Sequence, residues 1–267
     1  MNRLDAISLE IISNALRSIT DETYAALMKS AYSTNIKERH DHSTAIMDRS
    51  GRLVAQAVES LPIHIASMHG LMHALLDKFS DNIHPGDLFI ANDPHVAGGT
   101  HLPDVNLAMP VFIDDEIFGF VCNIAHHADI GGMAPGSMAG GMSEIYQEGL
   151  RIPVVRLFRN GELQQDLFDL MLLNVRVPRE RRGDYFAQIS ACRLGERRLQ
   201  EVVAEHGIEK ISTAFGDIID RTRERMGDSI ETIPDGDYRF TDMMDGDGIE
   251  ALDLPIELVI TVNGREI

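Results

Sequence analysis

Apolar residues recur at Ile7, Ile11, Ala15, Ile19, Ala26 and Leu27, close to a helical period, and Asp5 precedes them as an N-cap. The spacing predicts a core-packing helix over 5–33. After Asp41 the pattern turns to short alternation through Thr44, Ile46 and Asp48; "DRSG" then reads as a turn and "RLVAQAVE" as a returning strand. A second helical pattern covers 63–80, with Ile65, Met68, Leu71, Met72, Leu75 and Leu76, and "HPGD" ends it. "LFIAND" is a short strand. "VNLAMPVF" and "IFGFVCNIA" flank the turn "IDDE", the second of them nearly continuous in apolar residues, as a buried strand is. A Gly/Met/Ser loop follows over 131–141, then a strand over 151–158 and the turn "RNGE".

Helical patterns return over 183–206, with Gly207 as the stop, and over 208–226. "PDGDYRFTDMMDGDG" and "LPIELVITVNGREI" read as strands. Asn263-Gly264 favours a type I′ hairpin turn, so few residues remain to pair back onto 254–262 and that strand is expected to carry an unpaired edge. The expected class is α+β, with mixed, largely antiparallel sheets and packed helices, and two regions: 1–232, and a β-rich region that starts at 233–267 and reads as truncated.

The formal net charge is −18 over 267 residues, a field that repels nucleic acid and anionic membranes. The N-terminus has no apolar h-region and no run has the length of a membrane span, so a soluble, cytoplasmic protein is expected. The two cysteines, Cys122 and Cys192, lack a CxxC spacing, so any metal needs nitrogen and oxygen ligands. Cys122 falls in the buried strand and reads as inert.

Such ligands gather in "GTHLPD" at 99–104 and "HHADIGG" at 126–132. If the turn is centred near Asp114–Glu116, opposed residues of the hairpin have numbers totalling 229 to 231. His101 and Asp104 then stand at the entry of one strand, with His126 and His127 at the exit of its neighbour, about 5 Å across the ladder. A one-residue slip exchanges His126 for His127, and pattern alone leaves both open. A His/Asp set without Cys suits Zn, Mn or Fe(II) with positions left for water, and Gly98, Gly99, Gly131 and Gly132 would let backbone approach closely. Asp41, in "ERHDHS", is a third candidate, which also reads as a cap carboxylate; alternation would turn His40 and His42 away from it. Asn92 and Asp93 read equally as a polar strand end beside a site or as a turn. The basic run "RVPRERR" reads as a solvated helix start, and "DMMDGDG" as a turn that lacks the Ca²⁺-loop pattern. There is no Gly-x-Ser-x-Gly elbow and no P-loop.

The segments "NIKERHDHSTAIMD", "HPGDLFIANDPHVAGGTHLPDVNLAMPVF", "AHHADIGGMAPGSM" and "IYQEGLRIP" resemble the hydantoinase B/oxoprolinase family from residue 5 to the end. The resemblance implies a B-type subunit working with an A-type subunit that binds ATP and phosphorylates a carbonyl oxygen of a small cyclic amide. It implies a hetero-oligomer, a divalent metal on Asp41, His101, Asp104 and His126, and a nearby base among Asp104, His127 and Asp129, with His127 and Asp129 the favoured catalytic pair. Family B subunits are considerably longer, so a fragment or one piece of a split subunit is expected. The resemblance also admits an acetone-type carboxylase subunit, and the length a non-catalytic scaffold.

Overall fold

The computed structural model describes residues 3–80, 82–250 and 252–267. Helix α1 (Ala6–Ser30) starts at Asp5, whose carboxylate accepts from the backbone N–H groups of Ile7 and Ser8. The one-turn α2 (Thr34–Lys37) leads into β1 (His42–Asp48) and β2 (Leu53–Gln56), and α3 is Pro62–Phe79. Strand β3 (Leu88–Ala91) precedes the hairpin of β4 (Asp104–Ile113) and β5 (Glu116–His126). Asp114 and Asp115, both at positive φ, form the two-residue turn that a right-twisted hairpin needs. Then come β6 (Val155–Arg159), β7 (Glu162–Leu163), α4 (Gln165–Leu173), α5 (Pro178–His206), α6 (Ile208–Glu231), β8 (Gly236–Met244) and β9 (Leu254–Val262).

Seven strands form one sheet in the order β2-β1-β5-β4-β3-β6-β7, with every pairing antiparallel. The expectation of a mixed sheet is corrected: hairpins join β1 to β2, β4 to β5 and β6 to β7, and no pair of strands among the described residues runs parallel. Helices cover both faces. On one face α3 buries Met68, Leu71, Met72 and Leu75 against Ala45, Met47, Ala108, Phe120, Cys122 and Ile124. On the other, α1 and α6 pack on Ile46, Val111 and Val121, and α4 and α5 on Leu107 and Met109. Side chains alternate between these faces along each strand, so neighbours in sequence enter different cores. No helix among the described residues is long and apolar enough to cross a membrane.

Strands β8 and β9 form a separate two-stranded sheet. Both are exposed along almost their whole length, and Phe240 lies opposite Leu258 with both side chains in solvent. The turn after β9 is closed by Asn263 and Glu266, which exchange two backbone hydrogen bonds. Only Gly264 of its two central residues has positive φ, so the turn is not the expected type I′, which needs both.

Two helices differ from the sequence pattern. Residues 165–173 form a short helix that the pattern leaves unassigned between the turn "RNGE" and the helix expected from 183. Helix α5 starts at Pro178, where proline's fixed φ suits a first turn, so Arg179, Arg181 and Arg182 of the basic run lie inside it and Arg176 just before it. Arg181 of that run is buried against Asp184 at 3.1 Å, not solvated.

Candidate metal centre

Because β5 runs antiparallel to both β1 and β4, the start of β1, the start of β4 and the end of β5 meet at one end of the sheet's interior strands. Opposed residues of the hairpin have numbers totalling 230 from Asp104–His126 to Val111–Gly119, and 229 beyond a bulge. This register selects His126, not His127, as the partner of Asp104. The backbone N–H of His126 also donates to the carbonyl of Asp41, which fixes Asp41 on the far side of the same strand end.

Three donor atoms converge there. Nε2 of His101 lies 3.2 Å from Nδ1 of His126, and each lies 3.1 Å from Oδ1 of Asp104. Two donors bound to one zinc-like ion at roughly 2.1 Å in a tetrahedral shell stand about 3.4 Å apart, so this triangle is close to the dimensions of a coordination face. Asp41 borders it, with Oδ2 3.7 Å from Nδ1 of His126. Asp104 and His126 are buried, whereas the side chains of His101 and Asp41 are 35% and 33% exposed, so the centre opens to solvent on their side.

Burial works to raise the pKa of Asp104, but hydrogen bonds from His101, His126 and Thr100 and the charge of His101 outweigh it and hold the carboxyl well below its ordinary range. Burial also disfavours the His101 cation, yet Asp104 raises its pKa above the ordinary imidazole value. The anionic carboxylate is the form that ligates a cation.

A fifth side chain reaches this centre. His64, in the first turn of α3, is buried and places Nε2 3.5 Å from Oδ1 of Asp41 and 3.7 Å from Oδ2 of Asp104. Pattern analysis passed over it, since it sits within an otherwise apolar helical run; the signal available was an imidazole two residues after a helix-initiating proline.

The other expected site residues lie elsewhere. His127 points through the opposite face of the sheet, where Nε2 bonds Gln188 at 2.9 Å and the ring packs on Tyr185. Complete burial pushes its pKa down to about 4. The carboxylate of Asp129 is held by Arg176, Ser137 and the N–H of Gly131. The structure does not bring these two to the triangle: alternation takes residue 127 to the far face, and the carboxylate at 129 pairs with Arg176. His42 likewise turns from Asp41 and stacks on Tyr24 with ring centroids 3.9 Å apart.

Asn92 and Asp93 build the frame. Asn92 donates to the carbonyls of Leu102 and Leu150 and accepts from the N–H of Ile152, and Asp93 caps His95 and Val96 and pairs with Arg151. The glycines of the His101 loop serve the same frame. A Cβ on Gly98 would stand 2.4 Å from Cα of Gly70, so the loop lies directly against the backbone of α3. One on Gly132 would stand 2.3 Å from the carbonyl oxygen of Gln147. Two surface clefts beside α6, of about 590 and 620 Å³, hold none of the cluster. Cys122 is buried, with its thiol pKa pushed up by desolvation.

Known proteins with this architecture include an ATP-dependent caprolactamase from Pseudomonas jessenii. Its crystal structure superposes with a TM-score of 0.91 at 31% identity, over 99% of this chain and 45% of that one. In sequence, the caprolactamase subunit beta is 33% identical over all of this chain and 45% of its own length. A 5-oxoprolinase from Dictyostelium discoideum is 34% identical over 78% of this chain and 16% of its own. A nucleotide-free acetone carboxylase shares the fold, with a TM-score of 0.87 at 22% identity over 96% of this chain and 35% of its own. The chain thus spans less than half the length of the relatives it matches. With a sequence model for hydantoinase B/oxoprolinase matching residues 5–267, the chain belongs to the hydantoinase B/oxoprolinase family.

Proposed function

We propose that this chain is the metal-holding part of a subunit of an ATP-dependent enzyme that opens a cyclic amide, working with an ATP-using subunit of the hydantoinase A type. The observation that carries this reading is the triangle of His101, Asp104 and His126 donors at one end of the sheet, 3.1–3.2 Å on a side. Two relatives carry the names of enzymes acting on lactams, caprolactam and 5-oxoproline.

His101, Asp104 and His126 would hold a divalent ion, zinc, manganese or iron, with Asp41 completing the set. Such an ion supplies Lewis acidity and lowers the pKa of water toward neutrality. The buried side chains Asp104, His126 and His64 close the centre on the protein side, and the half-open His101 and Asp41 leave one approach for substrate. Phosphorylation of the lactam oxygen by the partner makes the ring carbon imidate-like. Water adds at that carbon, the ring C–N bond breaks with a proton delivered to nitrogen, and a second water releases phosphate. The chain's own contribution to ATP handling is unfavourable: it has no P-loop, and a net charge of −18 repels a polyanion.

The test is reconstitution with the A-type subunit, followed by measurement of metal content and of phosphate release over a panel of lactams and imides, with and without bicarbonate. Lactam-dependent phosphate release without bicarbonate, lost on chelation, is expected. Release that requires bicarbonate and a ketone would assign a carboxylase instead, and a fully assembled complex without metal would assign a scaffold. Micromolar ATP binding to the isolated chain in calorimetry would overturn the division of labour.

A further inference from the structure

His64 stands against the proposed centre without belonging to the donor triangle, and its hydrogen bonds settle what it presents there. Ser43 is buried in β1, and its Oγ accepts from the backbone N–H of Leu61 at 2.9 Å. The hydroxyl proton then needs an acceptor, and among the described residues the one in range is Nδ1 of His64 at 3.0 Å. The other tautomer would leave a buried O–H with no partner. Ser43 therefore places the imidazole proton on Nε2. That nitrogen faces Asp41 Oδ1 at 3.5 Å and Asp104 Oδ2 at 3.7 Å. These are the oxygens turned away from the donor triangle: Oδ1 of Asp104 faces His101 and His126, and Oδ2 of Asp41 faces His126. The ring sits in the first turn of α3.

We propose that His64 is a positioning residue of the metal centre: its Nε2–H faces the rear oxygens of Asp41 and Asp104 together, and so keeps the front oxygen of each carboxylate toward the ion. The Ser43–His64 pair thereby couples the start of α3 to both carboxylate ligands. Partners that orient a ligating group in this way are worth about 10- to 100-fold in metal affinity. The proposal rests on the metal-binding reading above.

The experiment titrates Zn²⁺ into the metal-stripped full chain by calorimetry and records the visible spectrum of the Co²⁺ form, for the wild type, His64→Ala, His64→Gln and Ser43→Ala. A glutamine amide carries an N–H at the same reach as Nε2, so it replaces the donor. Expected results are one equivalent of Zn²⁺ in every variant, affinity about 10- to 100-fold weaker in His64→Ala, and recovery to near wild type in His64→Gln. The Co²⁺ spectrum of His64→Gln should match the wild type, and Ser43→Ala, which frees the tautomer, should fall between. If His64→Ala does not fold, the glutamine and Ser43 variants still decide. A changed Co²⁺ spectrum in His64→Gln would make His64 a ligand and overturn the proposal, as would a second equivalent of metal lost with His64. Unchanged affinity in His64→Ala or Ser43→Ala would overturn it while leaving the metal reading intact. A wild type that binds no ion would sink both.

Discussion

His126 and His127 are adjacent in sequence and live in different environments. His126 enters the face covered by α3, where it meets Asp104, His101 and the solvent-open end of the sheet. His127 enters the face covered by α5, where Gln188 holds its Nε2; the amide of Gln188 also donates to the carbonyl of Val105 and to Asn123. Beside it lies the buried pair of Arg181 and Asp184, the latter accepting from the N–H groups of Tyr32 and Ser33. One face thus concentrates donors with an opening. The other seals similar chemistry into the core, where it ties α5 to the sheet and to the segment after α1. The two-residue period of a strand is enough to divide a His-His pair between the donor triangle and the framework.

The strongest way to break this contrast is to remove a donor. His101→Ala or Asp104→Ala should abolish stoichiometric zinc by elemental analysis, whereas His206→Ala, on the last turn of α5, should keep it. In thermal melts, an ion present at a thousandfold excess over its Kd should stabilise the wild type by about 4 kcal/mol, and Asp104→Ala by nothing measurable. Full occupancy in His101→Ala would end the assignment. On the sealed face the expected pattern reverses. His127→Ala should retain its zinc yet lose about 2–4 kcal/mol in denaturant unfolding, since it leaves a cavity and strands Gln188. Loss of metal without loss of stability would show that the two faces are not separate.

Smaller effects sharpen the boundary. Arg176→Ala removes the guanidinium that joins Asp129 to the carbonyls of Gly131 and Gly132. With Arg176 more than a third exposed, a loss of about 1 kcal/mol and unchanged zinc affinity are expected. Phe240→Ser, on the exposed ribbon, belongs to neither face and should change unfolding by less than about 0.5 kcal/mol. Hydrogen exchange offers the companion measurement: amides of β8 and β9 should exchange far faster than those of β4 and β5, which are buried in the sheet centre.

Much of this was legible in the sequence because the decisive element is a hairpin. Its short turn sets the β4–β5 register to within one residue, and that register brings His101, Asp104 and His126 together. Asp41 was harder, since its place depends on β1 pairing with β5 across a long stretch of chain, and the motif resemblance, not periodicity, singled it out. His64 was invisible to pattern because a helix period sorts apolar from polar and says nothing of what a polar residue faces. Arg181 misled in the opposite sense: in a run of arginines it reads as solvated, and only the fold supplies Asp184 as its buried partner.

The tight turn at Asp114–Asp115 carries a consequence for how the centre comes into being. It makes two of the four proposed ligands, Asp104 and His126, a property of one local hairpin, a kind of unit that closes in about 1–10 μs, while His101 sits in the loop before β4 and Asp41 must await a pairing of much greater sequence separation. An ion that bridges the hairpin pair to Asp41 would therefore link a local pairing to a distant one, and is expected to favour the docking of β1. Refolding with and without zinc should then differ in rate as well as in final stability.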